Sequence, residues 1–191
     1  MYLRKLSHLY SRFNRRRKLQ FLTNLISNLQ LTSGLIVGAK PQTNSTDFDN
    51  LIEQGLVEIL HTVVISGLEK KSTFWPGWVQ ADALSLPFKD SSFDLVFSNA
   101  VIEHVGDEIE QMKFINEHTR VGKNWVFTTP NRLFPIESHT QKLFIHMRGG
   151  WKHGDVTRLL SKKDLRKILP SDSKIKGHWF SPTFLCYRVQ V

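Results

Sequence analysis

The sequence predicts one α/β domain with a mostly parallel sheet and helices on both faces. Short apolar runs at residues 35–37 and 93–97 end in small or polar residues, which is typical of buried parallel strands. Helical apolar spacing recurs before the first run and after the later one. The chain has 191 residues, of which 40% are hydrophobic, and this is enough for one sheet and its covering helices.

The predicted strands follow one another along the chain as short apolar runs bounded by turn residues. We expect the first five at residues 35–37, 61–65, 78–80, 93–97 and 124–128. The final strands are expected at residues 179–180 and 184–189.

Two helices are predicted after the fourth strand. Residues 107–119 have an amphipathic pattern whose buried side is expected to include Ile109, Met112, Phe114 and Ile115. A second helix is expected to begin at Ser161, because Asp164 three residues later completes a capping pair, and to end at Pro170.

The N-terminal quarter carries most of the net charge of +9. Residues 1–46 contain eight of the 26 Lys and Arg residues and no acidic residue. Helical spacing of the apolar residues in this segment predicts one or two helices that cover the sheet, with 15–18 facing solvent. We therefore divide the chain into a basic helical cap, 1–30, and a main domain, 31–191. The basic segment is open to three interpretations: a structural cap, a surface for anionic membranes or substrates, or a cleaved targeting peptide.

Composition excludes several classes of protein. A single cysteine, Cys186, excludes a disulfide framework and a four-thiolate zinc site. The sequence has no HExxH motif and no paired CxxC motif, so we expect no bound metal. Apolar runs fall short of the ~18 residues that span a bilayer. We expect a cytoplasmic protein, with peripheral membrane attachment through the basic segment as an option.

Two segments carry a resemblance to a known family. One runs from Asp82-Ala83 through Leu86-Pro87-Phe88 to the Phe-Asp-Leu-Val-Phe-Ser-Asn run that ends at Asn99. The other is Thr-Pro-Asn-Arg-Leu-Phe-Pro-Ile-Glu-Ser-His-Thr, which ends at Thr140. Together they resemble class I S-adenosylmethionine-dependent methyltransferases, in a type 11-like bacterial subgroup, over roughly residues 60–170. The resemblance implies a methyltransferase with a Rossmann-like sheet, an antiparallel edge hairpin and S-adenosyl-L-methionine as cofactor.

The resemblance also implies a cofactor site at the carboxyl ends of the strands. Asp82 would accept the adenine amine, Glu69 would reach the ribose, and Asn99 would lie at the end of the fourth strand. The full predicted cofactor set is Gly38, Ala39, Glu69, Asp82, Ala83, Asn99 and Ala100. The first strand departs from the family pattern, because Ile36 stands where an acid is expected and Lys40-Pro41 replaces later glycines. A domain that has kept the fold and lost the cofactor is therefore an alternative.

Methyl transfer to a hydroxyl or amine requires alignment of the reactants and a group that accepts a proton. The candidates for this base are His104, His139 and Glu137. We expect residues 131–146 to form a loop that governs acceptor choice, with a hinge at residues 149–150. Three functions stay open. The first is a methyltransferase for a small-molecule, sugar or lipid-linked acceptor. The second is a nucleic-acid methyltransferase that binds phosphates through the basic segment, which is less favoured because the sequence has no amine-binding motif, and the third is a non-catalytic domain.

Overall fold

The computed structural model describes residues 2–41, 50–70, 75, 77–140, 142–147 and 153–190, with side chains from residue 12 onward. Four α-helices and seven strands lie in these ranges. The helices are α1 (Tyr2–Leu29), α2 (Leu51–Ile59), α3 (Glu108–Val121) and α4 (Lys162–Ile168). The strands are β1 (Ser33–Val37), β2 (Thr62–Gly67), β3 (Trp78–Gln80), β4 (Phe93–Asn99), β5 (Gly122–Pro130), β6 (Lys174–Lys176) and β7 (Thr183–Arg188).

All seven strands form one sheet, in the order β3-β2-β1-β4-β5-β7-β6. The pairs among β1 to β5 are parallel, whereas β7 runs antiparallel to both β5 and β6. The predicted α/β fold with an antiparallel edge is confirmed. Strand order reverses between β1 and β4, and ligands of open α/β sheets bind at the carboxyl ends of strands beside such a switch point.

The sheet has an apolar core on each face, because successive side chains of a strand point to opposite sides. On β5, Trp125 and Phe127 pack with Phe114 of α3 on one face. Val126 points to the other face, where it packs with Leu22 and Ile26 of α1. Helix α1 is therefore part of the second core. None of the described helices is long and apolar enough to cross a membrane.

The two predicted helices after β4 are present with their caps. Asp107 accepts backbone hydrogen bonds at the start of α3, and Ser161 and Asp164 form the predicted capping box of α4. The predicted buried side of α3 is wrong in part, since Ile109 and Met112 are 75% and 44% exposed. A polar set joins Phe114 and Ile115 in the interior instead, namely Gln111 and His118.

The N-terminal segment is a single helix, α1, in agreement with the predicted one or two helices. Two other elements differ from the prediction. The nine-residue helix α2 was not predicted. Helix α2 packs closely on α1 at Gly55, where a Cβ atom would lie 2.7 Å from the Leu19 side chain. Residues 179–180 form a turn, with Trp179 72% exposed, and the edge strand is instead β6, whose Lys-Ile-Lys sequence half-buries only Ile175.

Candidate active site

The turn after β1 begins the candidate site. Gly38 has a φ of +72°, and a Cβ atom there would lie 2.6 Å from the Val101 side chain. The amides of Gly38 and Ala39 both donate to the Ser66 carbonyl, at 2.8 and 3.1 Å. Glycine is required here for a close approach between the turn and the segment after β4. Since both amides already have a partner, these two residues shape the turn and do not present free donors to a ligand.

Two acidic residues that were predicted to bind the cofactor follow the neighbouring strands: Glu69 comes after β2, and Asp82 comes after β3. Both side chains are exposed. Asp82 accepts a hydrogen bond from the Leu84 amide at 2.9 Å through Oδ1, as a turn-capping aspartate does, and its second oxygen faces outward from that turn. Ala83 is buried beneath it. The Glu69 carbonyl accepts the Trp78 indole N–H at 3.0 Å, which ties the loop after β2 to β3.

Asn99 and Ala100 lie at the end of β4, beside β5. The Thr128 hydroxyl donates to Asn99 Oδ1 at 2.6 Å, and the Ala100 amide donates to the Thr128 carbonyl at 2.9 Å. Ala100 has a φ of +57°, a left-handed conformation that is uncommon outside glycine and is often held at functional sites. The chain therefore turns sharply here, and the Asn99 side chain is fixed across the two strands.

Helix α1 inserts a lysine into this region, which corrects the expectation that 15–18 all face solvent. The Lys18 ammonium donates to the Thr128 hydroxyl at 3.2 Å. The stem of the side chain is partly accessible, but its charged end is enclosed. Burial, together with the charge of Arg15, lowers the pKa of Lys18 to about 8. Its position follows from helical geometry, because Lys18 lies one turn before the core residue Leu22 on the same face.

A buried acid on α2 lies in the same polar cluster. Glu53 is 5% exposed and hydrogen-bonds the Asn99 side chain. Its Oε2 atom has no hydrogen-bond partner among the described residues. Burial raises the pKa of Glu53, although Arg15 and Lys18 oppose this shift. Lys18, Thr128, Asn99 and Glu53 thus form a connected group of opposite charges at the carboxyl ends of β4 and β5.

A second buried acid, Glu103, lies in the 3₁₀ turn Ile102–His104 that follows β4. It is fully buried, and Oε2 accepts the Thr129 hydroxyl at 3.1 Å. Its Oε1 atom has no partner among the described residues. Burial raises the pKa of Glu103 to about 7, which makes this group able to take up or release a proton near neutral pH.

The predicted bases His139 and Glu137 contact each other. Glu137 is buried, and its Oε1 atom accepts hydrogen bonds from His139 Nδ1 at 2.8 Å and from the His139 amide at 2.9 Å. The Thr140 amide donates to the other oxygen at 2.6 Å. Against the effect of burial, the hydrogen bonds from His139 and Thr140 hold the pKa of Glu137 at about 2. Glu137 is therefore a weak base that orients His139, whose own pKa is raised by this hydrogen bond.

His104, the third predicted base, is next to His139. The two rings meet edge to face with centroids 5.3 Å apart. His104 Nδ1 lies 3.1 Å from an Asp155 carboxylate oxygen, outside hydrogen-bond geometry, and burial lowers its pKa. Ligand-type atoms of Glu103, His104 and His139 all lie within 4.8 Å of one another. The structure thus brings two predicted bases together around an acid that the sequence analysis did not select.

The loop after β5 is anchored by contacts within the protein. Asn131 is buried and donates to the carbonyls of Trp179 and Ser181 at 2.8 Å. Arg132 lies 3.6 Å from Asp164, and its carbonyl is 2.8 Å from His146 Nε2. The expected hinge at residues 149–150 lies outside the described residues.

Comparison with known proteins matches part of the chain to one family. Residues 57–125 match the family described as "Methyltransferase domain". A curated relative, norajmaline N-methyltransferase from Rauvolfia serpentina, is 51% identical over 55 residues, which are 29% of this chain and 16% of that protein. The similarity thus spans about a sixth of the relative.

Solved structures share the fold over most of the chain. The N-methyltransferase NodS from Bradyrhizobium japonicum, in complex with S-adenosyl-L-homocysteine, aligns with a TM-score of 0.57 at 15% identity and covers 92% of this chain and 86% of that one. An S-adenosylmethionine-dependent methyltransferase from Mesorhizobium loti aligns with a TM-score of 0.52 at 14% identity, over 82% and 89% of the two chains. The domain match over residues 57–125 and the shared fold agree with the resemblance found in the sequence, and the bound S-adenosyl-L-homocysteine is a feature of the NodS structure.

Proposed function

We propose that this chain is a class I S-adenosylmethionine-dependent methyltransferase domain. It methylates a hydroxyl or amine of a small-molecule, sugar or lipid-linked acceptor. The observation that carries the proposal is the pairing of the buried Glu103 with the partly exposed His139, in the segments that follow β4 and β5. A buried carboxyl with a pKa near 7 beside an oriented imidazole is suited to accept the acceptor's proton.

The methionine end of the cofactor is a zwitterion, and the site offers both complementary charges. Ile36, within β1, stands where the family usually has an acid, and it is buried in the core beneath α1 and α2. Glu53 instead supplies a carboxylate from α2, with Oε2 available, and Lys18 supplies an ammonium from α1. We assign Glu53 to the cofactor ammonium and Lys18 to its carboxylate, so that the two helices replace the missing acid of the first strand.

The rest of the predicted cofactor set keeps a role in this proposal. Gly38 and Ala39 shape the turn after β1, which approaches Val101 closely. Asp82, with one carboxylate oxygen in its own turn, keeps a second oxygen for the adenine amine. Glu69 stays a candidate for the ribose hydroxyls, since its side chain is exposed.

The sulfonium supplies an activated methyl group, so the protein's own residues have to align the acceptor and remove its proton. Glu137 holds the Nδ1 proton of His139 and thereby directs Nε2 away from itself. General-base assistance of this kind contributes roughly 10²- to 10⁴-fold. His139→Ala should lower turnover by about 10²-fold or more, while affinity for S-adenosyl-L-homocysteine stays unchanged.

The proposal is tested by titration calorimetry with S-adenosyl-L-homocysteine. The wild-type chain should bind one molecule, and Glu53→Gln should weaken binding by roughly 1–3 kcal/mol, as expected when a charged hydrogen bond is lost from a buried site. Glu58→Gln is the matched control, because Glu58 is exposed on the same helix and should leave the affinity unchanged. Equal affinity for Glu53→Gln and wild type would remove α2 from the site. If the wild type does not bind the ligand at all, the non-catalytic alternative is correct.

A further inference from the structure

We infer that Glu103, His104 and His139 form a binding site for one divalent transition-metal cation of the zinc class. This goes beyond the proposed function, because the cation would bind the protein alone, without cofactor or acceptor. No sequence motif indicated it: two of the ligands come from the turn after β4, and the third comes from the loop after β5.

The three side chains converge on one point. Each offers one ligand atom, and these atoms all lie within 4.8 Å of one another. Ligands held ~2.1 Å from a tetrahedral ion are about 3.4 Å apart. The ligand atoms therefore have to move closer together when a cation binds, and the two histidine side chains, 23% and 21% exposed, are less confined than the buried Glu103.

Glu103 supplies the independent observation that a ligand is needed here. Its side chain is completely buried, and Oε2 is fixed by the Thr129 hydroxyl. The other oxygen, Oε1, has no hydrogen-bond partner within the described part of the chain. A buried carboxylate oxygen without a donor is costly, and such groups in native proteins usually pair with an ion or a donor. A cation between the two histidines would satisfy it.

His139 is arranged as metal-binding histidines usually are. Its Nδ1 atom donates to Glu137, 2.8 Å away, which leaves Nε2 for the cation. In the cation-bound protein Nε2 is therefore a ligand, and the base role proposed above belongs to the cation-free protein. A ligating imidazole nearly always donates its other nitrogen to a carboxylate or carbonyl, because this fixes the tautomer and the ring orientation. Glu137 is itself held by the amides of His139 and Thr140, so the orienting carboxylate is rigid.

The ligand set selects the class of cation. Two imidazoles and one carboxylate suit zinc and neighbouring transition metals, whereas magnesium and calcium prefer oxygen ligands alone. Three protein ligands also leave at least one coordination position open, as in catalytic zinc sites. A water molecule or an acceptor oxygen can fill that position.

The test is calorimetry with ZnCl₂ alone on chelator-treated, full-length protein, together with the visible absorption of the Co²⁺-loaded protein. We expect one cation per chain. Glu103→Gln and His139→Ala should each weaken Zn²⁺ binding at least 100-fold and abolish the tetrahedral Co²⁺ band. Glu137→Gln should weaken it by roughly 10- to 100-fold, as loss of an orienting carboxylate does. The control is His61→Ala, an exposed histidine at the start of β2, which should bind as the wild type does.

Two results would overturn the inference: no Zn²⁺ binding by the wild type, or unchanged binding in both Glu103→Gln and His104→Gln. His104→Gln keeps the inference testable if Glu103→Gln fails to fold, because His104 is partly exposed and its replacement disturbs the core less. Binding of S-adenosyl-L-homocysteine, measured on the same chelator-treated protein, separates this inference from the proposed function. Cofactor binding without Zn²⁺ binding would refute the cation site alone, and the reverse would refute the cofactor proposal alone.

Discussion

Lys18→Met should stabilise the protein while weakening its cofactor site. The ammonium of Lys18 is enclosed at the ends of β4 and β5, and its one hydrogen bond in the described structure is to Thr128. Burial, followed by repulsion from Arg15, lowers its pKa from 10.5 to about 8. Methionine has a similar length and no charge, so it fills the same space without the cost of removing an ammonium from water.

The size and pH dependence of the effect follow from that pKa. The difference between pKa values of 10.5 and about 8 corresponds to roughly 3–4 kcal/mol, at about 1.4 kcal/mol per pKa unit. Because the folded-state pKa of this base is depressed, the folded state is penalised at every pH at which Lys18 is still charged. The penalty is complete below pH 8 and disappears as the pH rises from 8 towards 10.5. Part of the stem reaches solvent, so we expect Lys18→Met to gain 1–3 kcal/mol at pH 7 and little at pH 10.

Urea denaturation of wild type and variant at pH 7 and pH 10 measures this difference directly. Arg16→Met is the control, since Arg16 is exposed on the same helix and surface changes usually stay within ±0.5 kcal/mol. Calorimetry with S-adenosyl-L-homocysteine should show weaker binding for Lys18→Met and no change for Arg16→Met. A variant that is less stable than wild type at pH 7 would refute the reasoning, because Lys18 would then be a stabilising ion-pair partner.

Three further predictions follow from the structure and the sequence. Asp82→Ala should weaken S-adenosyl-L-homocysteine binding by roughly 1–3 kcal/mol in calorimetry, and an unchanged dissociation constant with the fold intact would remove Asp82 from the site. Arg120→Met should lower the free energy of unfolding in urea by roughly 1–3 kcal/mol, because its guanidinium donates to two carboxylates and two carbonyls; a loss below 0.5 kcal/mol would contradict this. Exchange of the exposed Arg16 and Arg17 for Gln should reduce sedimentation with anionic vesicles, and wild-type binding should fall with salt. If the wild-type protein does not bind vesicles but binds RNA with an affinity that falls steeply with salt, the nucleic-acid alternative is favoured.

The strands could be predicted where burial on both faces requires a continuous run of apolar residues. β4 and β5 are central strands, buried on both faces, and their apolar runs are continuous. β6 is an edge strand of three residues with two lysines, and it has no such pattern. Helix α2 has only nine residues with Gly55 at its centre, so its local preference for helix is weak, and its packing against α1 decides its structure.

Candidate site residues could be proposed from the sequence where they depend on the ends of strands. Asp82, Asn99 and His139 lie at or after the ends of strands that the sequence indicates. Lys18 and Glu53 could not be predicted, because their position depends on the way two helices pack over the sheet. Glu103 left no clear signal in the sequence, since a glutamate is usually exposed, and only the structure shows that this one is fully buried.

The contacts of α1 have a consequence for the order in which the chain can become active. Asn14 donates to the Thr183 hydroxyl at 3.2 Å, and Phe21 meets the ring of Tyr187 with centroids 5.2 Å apart. Helix α1 thus rests on β7, which lies more than 150 residues later in the chain. Contacts this distant in sequence form slowly, after the local elements. A chain that stops before β7 would lack these two contacts, so synthesis has to pass this strand before α1, which carries Lys18, is fully held against the sheet.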